Sequence, residues 1–188
     1  QFVTDRLQGL ASHRPRPGTY RYSNIGYLAV GRALERAGGD TFRNLLQTHV
    51  IASLGQCAGA QLGFDLADVG YHARGHVFRR SLLGMTLGWW VDRRRIVETM
   101  GPDWIQLRPH HVNGSAYGGL VGNARGLAAF GHAALGIHDG WSPRVREQLT
   151  HTVAGPGPSR TPGWFVGRLG HVEWLAHAGG GLGGNGEL

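Results

Sequence analysis

The sequence contains no lysine, and all 19 of its basic side chains are arginine. Together with the abundance of Ala, Gly, Arg and Pro, this reads as a GC-rich coding bias rather than as selection for phosphate contacts. The formal net charge of +7 therefore does not by itself name a nucleic acid or an anionic surface as partner. The single cysteine, Cys57, excludes an internal disulfide and any multi-cysteine zinc site. No apolar run approaches the ~20 residues that a membrane-spanning helix needs. Nothing at the N-terminus reads as a basic region followed by a hydrophobic signal core. Charged residues are scarce at 16%, whereas hydrophobic residues make up 41%, with six Trp and six Phe, so 188 residues can bury one sizeable core and do not read as a disordered tail. The chain opens on Gln1 and closes on Gly184-Asn185-Gly186-Glu187-Leu188 without a cap or tail, and is read as a piece of a longer protein.

Two loops stand out, Arg14-Pro15-Arg16-Pro17-Gly18 and Gly155-Pro156-Gly157-Pro158 through Pro162-Gly163, because proline lacks the backbone donor that helix or strand requires. Between them, Asn24 to Ala37 carries Ile25, Leu28, Ala29, Ala33 and Ala37 at near-helical spacing. Gly38-Gly39 supplies the stop, and Ser23 or Asn24 the start. A second helix is predicted from a cap at Asn123 to Gly136, with Leu127, Ala128, Gly131, Ala134 and Leu135 on one face. A third is predicted over Asp40 to Val50. Trp164 to Leu169 and Val172 to His177 read as two strands joined by Gly170-His171, whose leading glycine suits a type II′ turn. The second strand runs into Ala178-Gly179-Gly180-Gly181, where a backbone without side chains can approach another group closely.

Tyr22-Ser23-Asn24 lies immediately before the first helix. Taken alone it is an ordinary turn-to-helix cap. In the longer run Pro17-Gly18-Thr19, Tyr22-Ser23-Asn24, Gly26-Tyr27 and a helix closing at Gly38-Gly39, it resembles the second motif of the serine β-lactamase and penicillin-binding protein family, in its class C and esterase-like branch. His177-Ala178-Gly179, 155 positions after Tyr22, resembles the family's third motif of Lys or His, a small residue and Gly. Tyr117-Gly118-Gly119-Leu120, leading to Asn123, is similar to the segment that enters a core helix in these proteins.

The resemblance implies acyl transfer to a serine, whose hydroxyl must lose its proton as it attacks a carbonyl. It implies Tyr22 as base partner, His177 as the polar or charged group beside it, and Asn24 as the residue that hydrogen-bonds substrate or orients a lysine. It also implies that substrate passes along Gly179 and that the Gly180 N–H is an oxyanion-hole donor, worth roughly 3 kcal/mol in comparable sites. The sequence departs from the pattern at one decisive place: the family nucleophile sits in Ser-x-x-Lys, which a chain without lysine cannot contain. None of the seven serines lies in Gly-x-Ser-x-Gly either. The nucleophile, its lysine and any export signal are therefore expected outside this sequence, and the chain is expected to be inactive alone. His-Ala-Gly in place of Lys-Thr-Gly, and Tyr-Ser-Asn in place of Tyr-Ala-Asn, are similar to esterases, D-amino-acid peptidases and amide hydrolases more than to true β-lactamases.

Other features carry blander readings. His72 with His76, and His110-His111, lack a carboxylate or cysteine that would complete a metal set. Arg79-Arg80 and Arg93-Arg94-Arg95 read as solvated faces, Trp89-Trp90 as core, with an exposed groove as the alternative under the family resemblance, and Cys57 has no assigned role. The fold expected is α/β (α+β), β-lactamase/transpeptidase-like, with a helical region beside an antiparallel sheet, and residues 1–188 forming a single partial domain. No cofactor, metal or nucleic acid is expected, and the partner is a small ester, amide or peptide substrate. The resemblance is compatible with a secreted or periplasmic location. The rival reading is a non-catalytic basic module for nucleic acid or an anionic surface, with Arg93-Arg94-Arg95 as the cations it would need; separately, the first helix, Gly38-Gly39 and the next helix can be read as a helix-turn-helix.

Overall fold

The computed structural model describes residues 22–55, 62–65, 73–110, 114–137, 140–152, 160–182 and 184–187. Several expectations lie outside these residues: Pro17-Gly18-Thr19, the loops over 14–18 and 155–158, and those concerning His72, His111 and Cys57. In chain order the elements are α1 (Asn24–Gly38), α2 (Phe42–Leu46), β1 (Leu62–Gly63), β2 (His76–Phe78), α3 (Leu82–Trp90), α4 (Arg93–Ile96), β3 (Val97–Met100), β4 (Trp104–Leu107), β5 (Val121–Gly122), α5 (Ala124–Leu135), α6 (Pro143–Thr150), β6 (Phe165–Leu169), β7 (Val172–Ala176), β8 (Ala178–Gly181) and β9 (Gly184–Glu187). All described strand pairs are antiparallel, in the groups β1-β5, β2-β4-β3, β6-β7 and β8-β9.

The helix ends fall where cap chemistry puts them. Ser23 accepts the Gly26 N–H at 3.0 Å to start α1, and Gly39, at φ 70°, closes it in the left-handed region that glycine tolerates. Asn123 accepts the Gly126 N–H at 3.0 Å to start α5, which Gly136 ends at φ 74°. The predicted third helix forms but is less regular than expected, and its helical backbone runs from Phe42 through Leu54. After Thr41 caps α2, the chain passes into a π turn over Gln47–Ile51 and a 3-10 turn over Ala52–Leu54. Gly170 takes φ 61° while, among the described residues, no non-glycine residue has a positive φ, so the β6–β7 connection is the type II′ turn that its sequence indicates.

Among the described residues, buried side chains gather in two apolar clusters. Ile51, Leu54, Leu62, Ala133, Ala134, Trp141 and Trp164 form the first, with Phe130 and Leu175 packed against it. Phe130 meets the Trp141 ring edge-on at 5.0 Å, and the Trp141 indole N–H donates to Ser53 Oγ at 3.0 Å. Val77, Leu87, Ile105 and Leu107 form the second, against which Leu182 packs. The segment from Leu175 to Leu182 thus runs from one core to the other, and His177 lies between them.

The buried faces differ from those the periodicity predicts. On α5 the core-facing residues are Ala129, Phe130, Ala133 and Ala134, while Leu127 and Leu135 are exposed. The aromatic partners of Phe130 and the small size of the two alanines set the helix about one position round from the leucine stripe. On α1 only Gly31 is fully buried, and Ile25 is exposed. Trp89 and Trp90 are exposed rather than core, because α3 faces its cluster through Gly84 and Leu87.

Two features tie α1 to its neighbours and each generates a prediction. A Cβ on Gly31 would sit on the Ala116 side chain, so the backbone of α1 lies against the 114–118 turn. Gly31→Ala is therefore expected to lower stability: overpacking of about 1–3 kcal/mol exceeds the roughly 1 kcal/mol by which alanine favours a helix. Urea unfolding of this variant beside the unmodified chain checks the sign. Glu35 accepts the Phe42 N–H at 3.0 Å and the Arg32 guanidinium at 2.6 Å, and these two bonds hold its carboxyl below the ordinary value of 4.5. A lowered folded-state value means stability that is present above about pH 4.5 and lost as pH falls through the folded value. Glu35→Gln should flatten that acid limb, measured as urea midpoints at about pH 6 and pH 3.

Candidate active site

Tyr22, Ser23 and Asn24 sit at the exposed N-terminal end of α1. The Ser23 hydroxyl oxygen is already engaged as the N-cap acceptor, which gives it a structural task. One helical turn further on, the Tyr27 hydroxyl donates to the Pro162 carbonyl at 3.1 Å, across 135 positions of sequence. The next carbonyl, that of Gly163, receives His177 Nδ1 at 2.7 Å. The first turns of α1 and the His177 strand therefore meet on two consecutive carbonyls.

The turn that offers these carbonyls is itself held in shape. Thr161 is buried, and its Oγ1 accepts the N–H groups of Gly163 at 3.3 Å and Trp164 at 3.0 Å. Its own N–H donates to the Trp164 carbonyl at 2.9 Å. The Trp164 ring is in the first core and stands edge-on to the His177 ring, with centroids 6.3 Å apart. A carbonyl oxygen can only accept, so Nδ1 of His177 carries the hydrogen and, in the neutral ring, Nε2 presents its lone pair.

His177 is the one residue between β7 and β8, and the glycines that follow it are placed by register. Gly181 pairs with Gly184 across a two-residue connection, and such a closing pair exchanges its hydrogen bonds. Alternation then makes Gly180 and Asn185 the non-bonded pair, so the Gly180 N–H points away from β9. No atom lies within 4 Å of a Cβ built on Gly179, which leaves that stretch of β8 open to an incoming group.

The 114–120 segment is brought to α1 and α2. Beyond the Gly31–Ala116 approach, Arg43 Nε donates to Ser115 Oγ at 2.9 Å. Gly114 adopts φ 139°, and the Tyr117 ring occupies the space its side chain would need. Among the described residues, no group of three or more His, Cys, Asp or Glu side chains could hold a metal ion.

The bridge between helix and strand thus runs through Tyr27 rather than Tyr22, and Thr161, Pro162 and Gly163 complete it. Sequence reasoning gave these four no functional role. Their only local signal is a Pro-Gly turn before an aromatic strand, and the partner lies 135 positions away.

The Tyr-x-Asn helix N-terminus and the His-x-Gly segment that begins β8 are thus joined within a mixed helical and antiparallel fold, the architecture of serine β-lactamase/penicillin-binding-protein-like proteins. The Beta-lactamase family model matches residues 2–186, and the chain belongs to that family. Among solved structures it is similar to the octameric penicillin-binding protein homologue from Pyrococcus abyssi, at 15% identity and a TM-score of 0.64, over 95% of this chain and 38% of that one. It is also similar to the D-amino acid amidase from Ochrobactrum anthropi SV3, solved with D-phenylalanine, at 15% identity and a TM-score of 0.60 over 95% of this chain and 50% of the amidase. The chain spans half or less of the length of these two proteins. No curated protein matches it in sequence.

Tyr27→Phe removes the donor to Pro162 without changing ring volume. It should cost about 0.5–1 kcal/mol of stability, as for a partly exposed hydrogen bond. The His177 side-chain resonances should shift with it, because the turn they report on is released, whereas they should not move in Arg32→Ala. Urea unfolding and 15N-edited spectra of the imidazole check both.

Proposed function

We propose that this segment supplies the base-side and oxyanion half of a serine hydrolase site acting on an ester or amide through an acyl-serine. The observation that carries the reading is the convergence of Tyr27 and His177 on the adjacent carbonyls of Pro162 and Gly163, which sets the N-terminus of α1 beside the start of β8.

In this reading the attacking hydroxyl belongs to a Ser-x-x-Lys segment outside these 188 residues. Tyr22 receives or relays its proton, since a phenol needs neighbouring positive charge to act as a base near neutral pH. His177 turns Nε2 toward the same space while its Nδ1–H anchors the ring. Asn24 donates to and accepts from polar groups of the substrate or orients the lysine. The Gly180 N–H, directed away from β9, stabilises the oxyanion as the carbonyl carbon becomes tetrahedral, and Gly179 leaves room for the acyl group. Collapse of that intermediate expels the alcohol or amine, and water later frees the acid.

Esters and amides, including amides of D-amino acids, fit this reading better than β-lactam antibiotics. Its motif is His-Ala-Gly rather than Lys-Thr-Gly, and the D-amino acid amidase shares its fold.

The purified chain is expected to show no saturable hydrolysis of p-nitrophenyl acetate or of a chromogenic β-lactam, and no fluorophosphonate labelling. A protein that joins this segment to a Ser-x-x-Lys segment should gain both ester turnover and labelling. In that protein Tyr22→Phe or His177→Ala should lower kcat by about 10²-fold or more. Saturable, serine-labelled turnover by the 188-residue chain alone would overturn the division of the site.

A further inference from the structure

We propose that the α3 end of the molecule docks peripherally on an anionic lipid bilayer. From Ser81 to Val91 the sequence holds no charged residue, and α3 turns most of that apolar surface outward. Leu82 is 75% exposed, Met85 61% and Trp89 85%, and their spacing of three and four positions puts them on one face. Trp90, 74% exposed, lies beside them and donates its indole N–H to Thr86 Oγ1 at 3.2 Å, which fixes the ring. The opposite face is spoken for: Leu87 is fully buried with Val77, Ile105 and Leu107, and Gly84 lies against the backbone of Phe78 and Arg79.

Cations frame this apolar surface at both ends. Arg79-Arg80 precede α3 and Arg93-Arg94-Arg95 follow it, all exposed, against the single Asp92 between positions 79 and 95. Arg93 reaches back along the helix to the Met85 carbonyl at 3.4 Å, so its guanidinium lies at the edge of the apolar face. An open groove of about 420 Å³ lies there, lined by Gly88, Trp89, Val91, Asp92, Arg93 and Arg94. Asp92 and Asp103 approach Arg95 and Arg80 only at 3.6 and 3.9 Å between exposed groups, contacts that an anion can displace.

The charge arrangement selects the occupant. Apposing this face with the same face of a second copy would bring five arginines against five arginines. A single-stranded nucleic acid would find rings at Trp89 and Trp90, but Leu82, Leu83 and Met85 offer no plane on which a base could stack. An anionic bilayer satisfies both halves: Leu, Met and Trp enter the boundary between headgroups and acyl chains, and the arginines meet lipid phosphates. At nine residues α3 is too short to cross the bilayer and lies in its surface.

The test is co-sedimentation of the chain with phosphatidylcholine vesicles, with and without phosphatidylglycerol, together with tryptophan emission. Binding and a blue shift are expected only with phosphatidylglycerol, weakening as salt rises. Trp89→Ala with Trp90→Ala should reduce partitioning about tenfold or more, and Arg93→Gln with Arg94→Gln and Arg95→Gln should remove the preference for anionic lipid. Unchanged circular dichroism of these surface variants shows that the fold is intact. Equal binding to both vesicles, no binding, tryptophan burial through self-association without lipid, or tighter capture by single-stranded oligonucleotide would each overturn the proposal. None of these readouts depends on catalysis, so their failure leaves the hydrolase reading standing, and the reverse.

Discussion

Two neighbouring carbonyl oxygens, those of Pro162 and Gly163, are the point on which the arrangement of this molecule turns. One receives a phenol from α1 and the other an imidazole from the start of the glycine-rich hairpin. The two donors lie far apart in sequence. The carbonyls are presented correctly because Thr161 satisfies the turn from within and Trp164 anchors its far end in the larger core. A rigid presenting turn is what converts two single hydrogen bonds into a fixed relation between a helix and a strand.

The two cores reinforce this relation from either side. Leu175 belongs to the cluster around Trp141 and Trp164, and Leu182 to the cluster around Leu87. The intervening stretch, which carries His177 and the glycines, is held at its ends and left bare in its middle. Packing thus supplies position where side chains are absent, and the space beside Gly179 and Gly181 stays open.

Much of this was legible in the sequence wherever the determinant is local. Ser23 with Gly39, and Asn123 with Gly136, mark helix ends because the side chain or dihedral that terminates a helix is written at the terminus itself. Gly170-His171 marks a II′ turn for the same reason. The faces of α1 and α5 were not legible, because a stripe of leucines says which residues could be buried but not which partner arrives. Phe130 won over Leu127 once two tryptophans from distant segments met it. The runs Tyr22-Ser23-Asn24 and His177-Ala178-Gly179 announced the family. Their physical connection did not, since Tyr27 and Pro162 have nothing in common until the chain has folded. Trp89-Trp90 misled for a related reason: two tryptophans normally signal core, and only the orientation of α3 turns them outward.

The geometry at His177 also decides which side of the ring is free. Gly163 offers an oxygen that can only accept, so Nδ1 carries the hydrogen and serves as the tether. Nε2 is left on the side away from it, and a single bond both anchors the imidazole and sets the direction it faces.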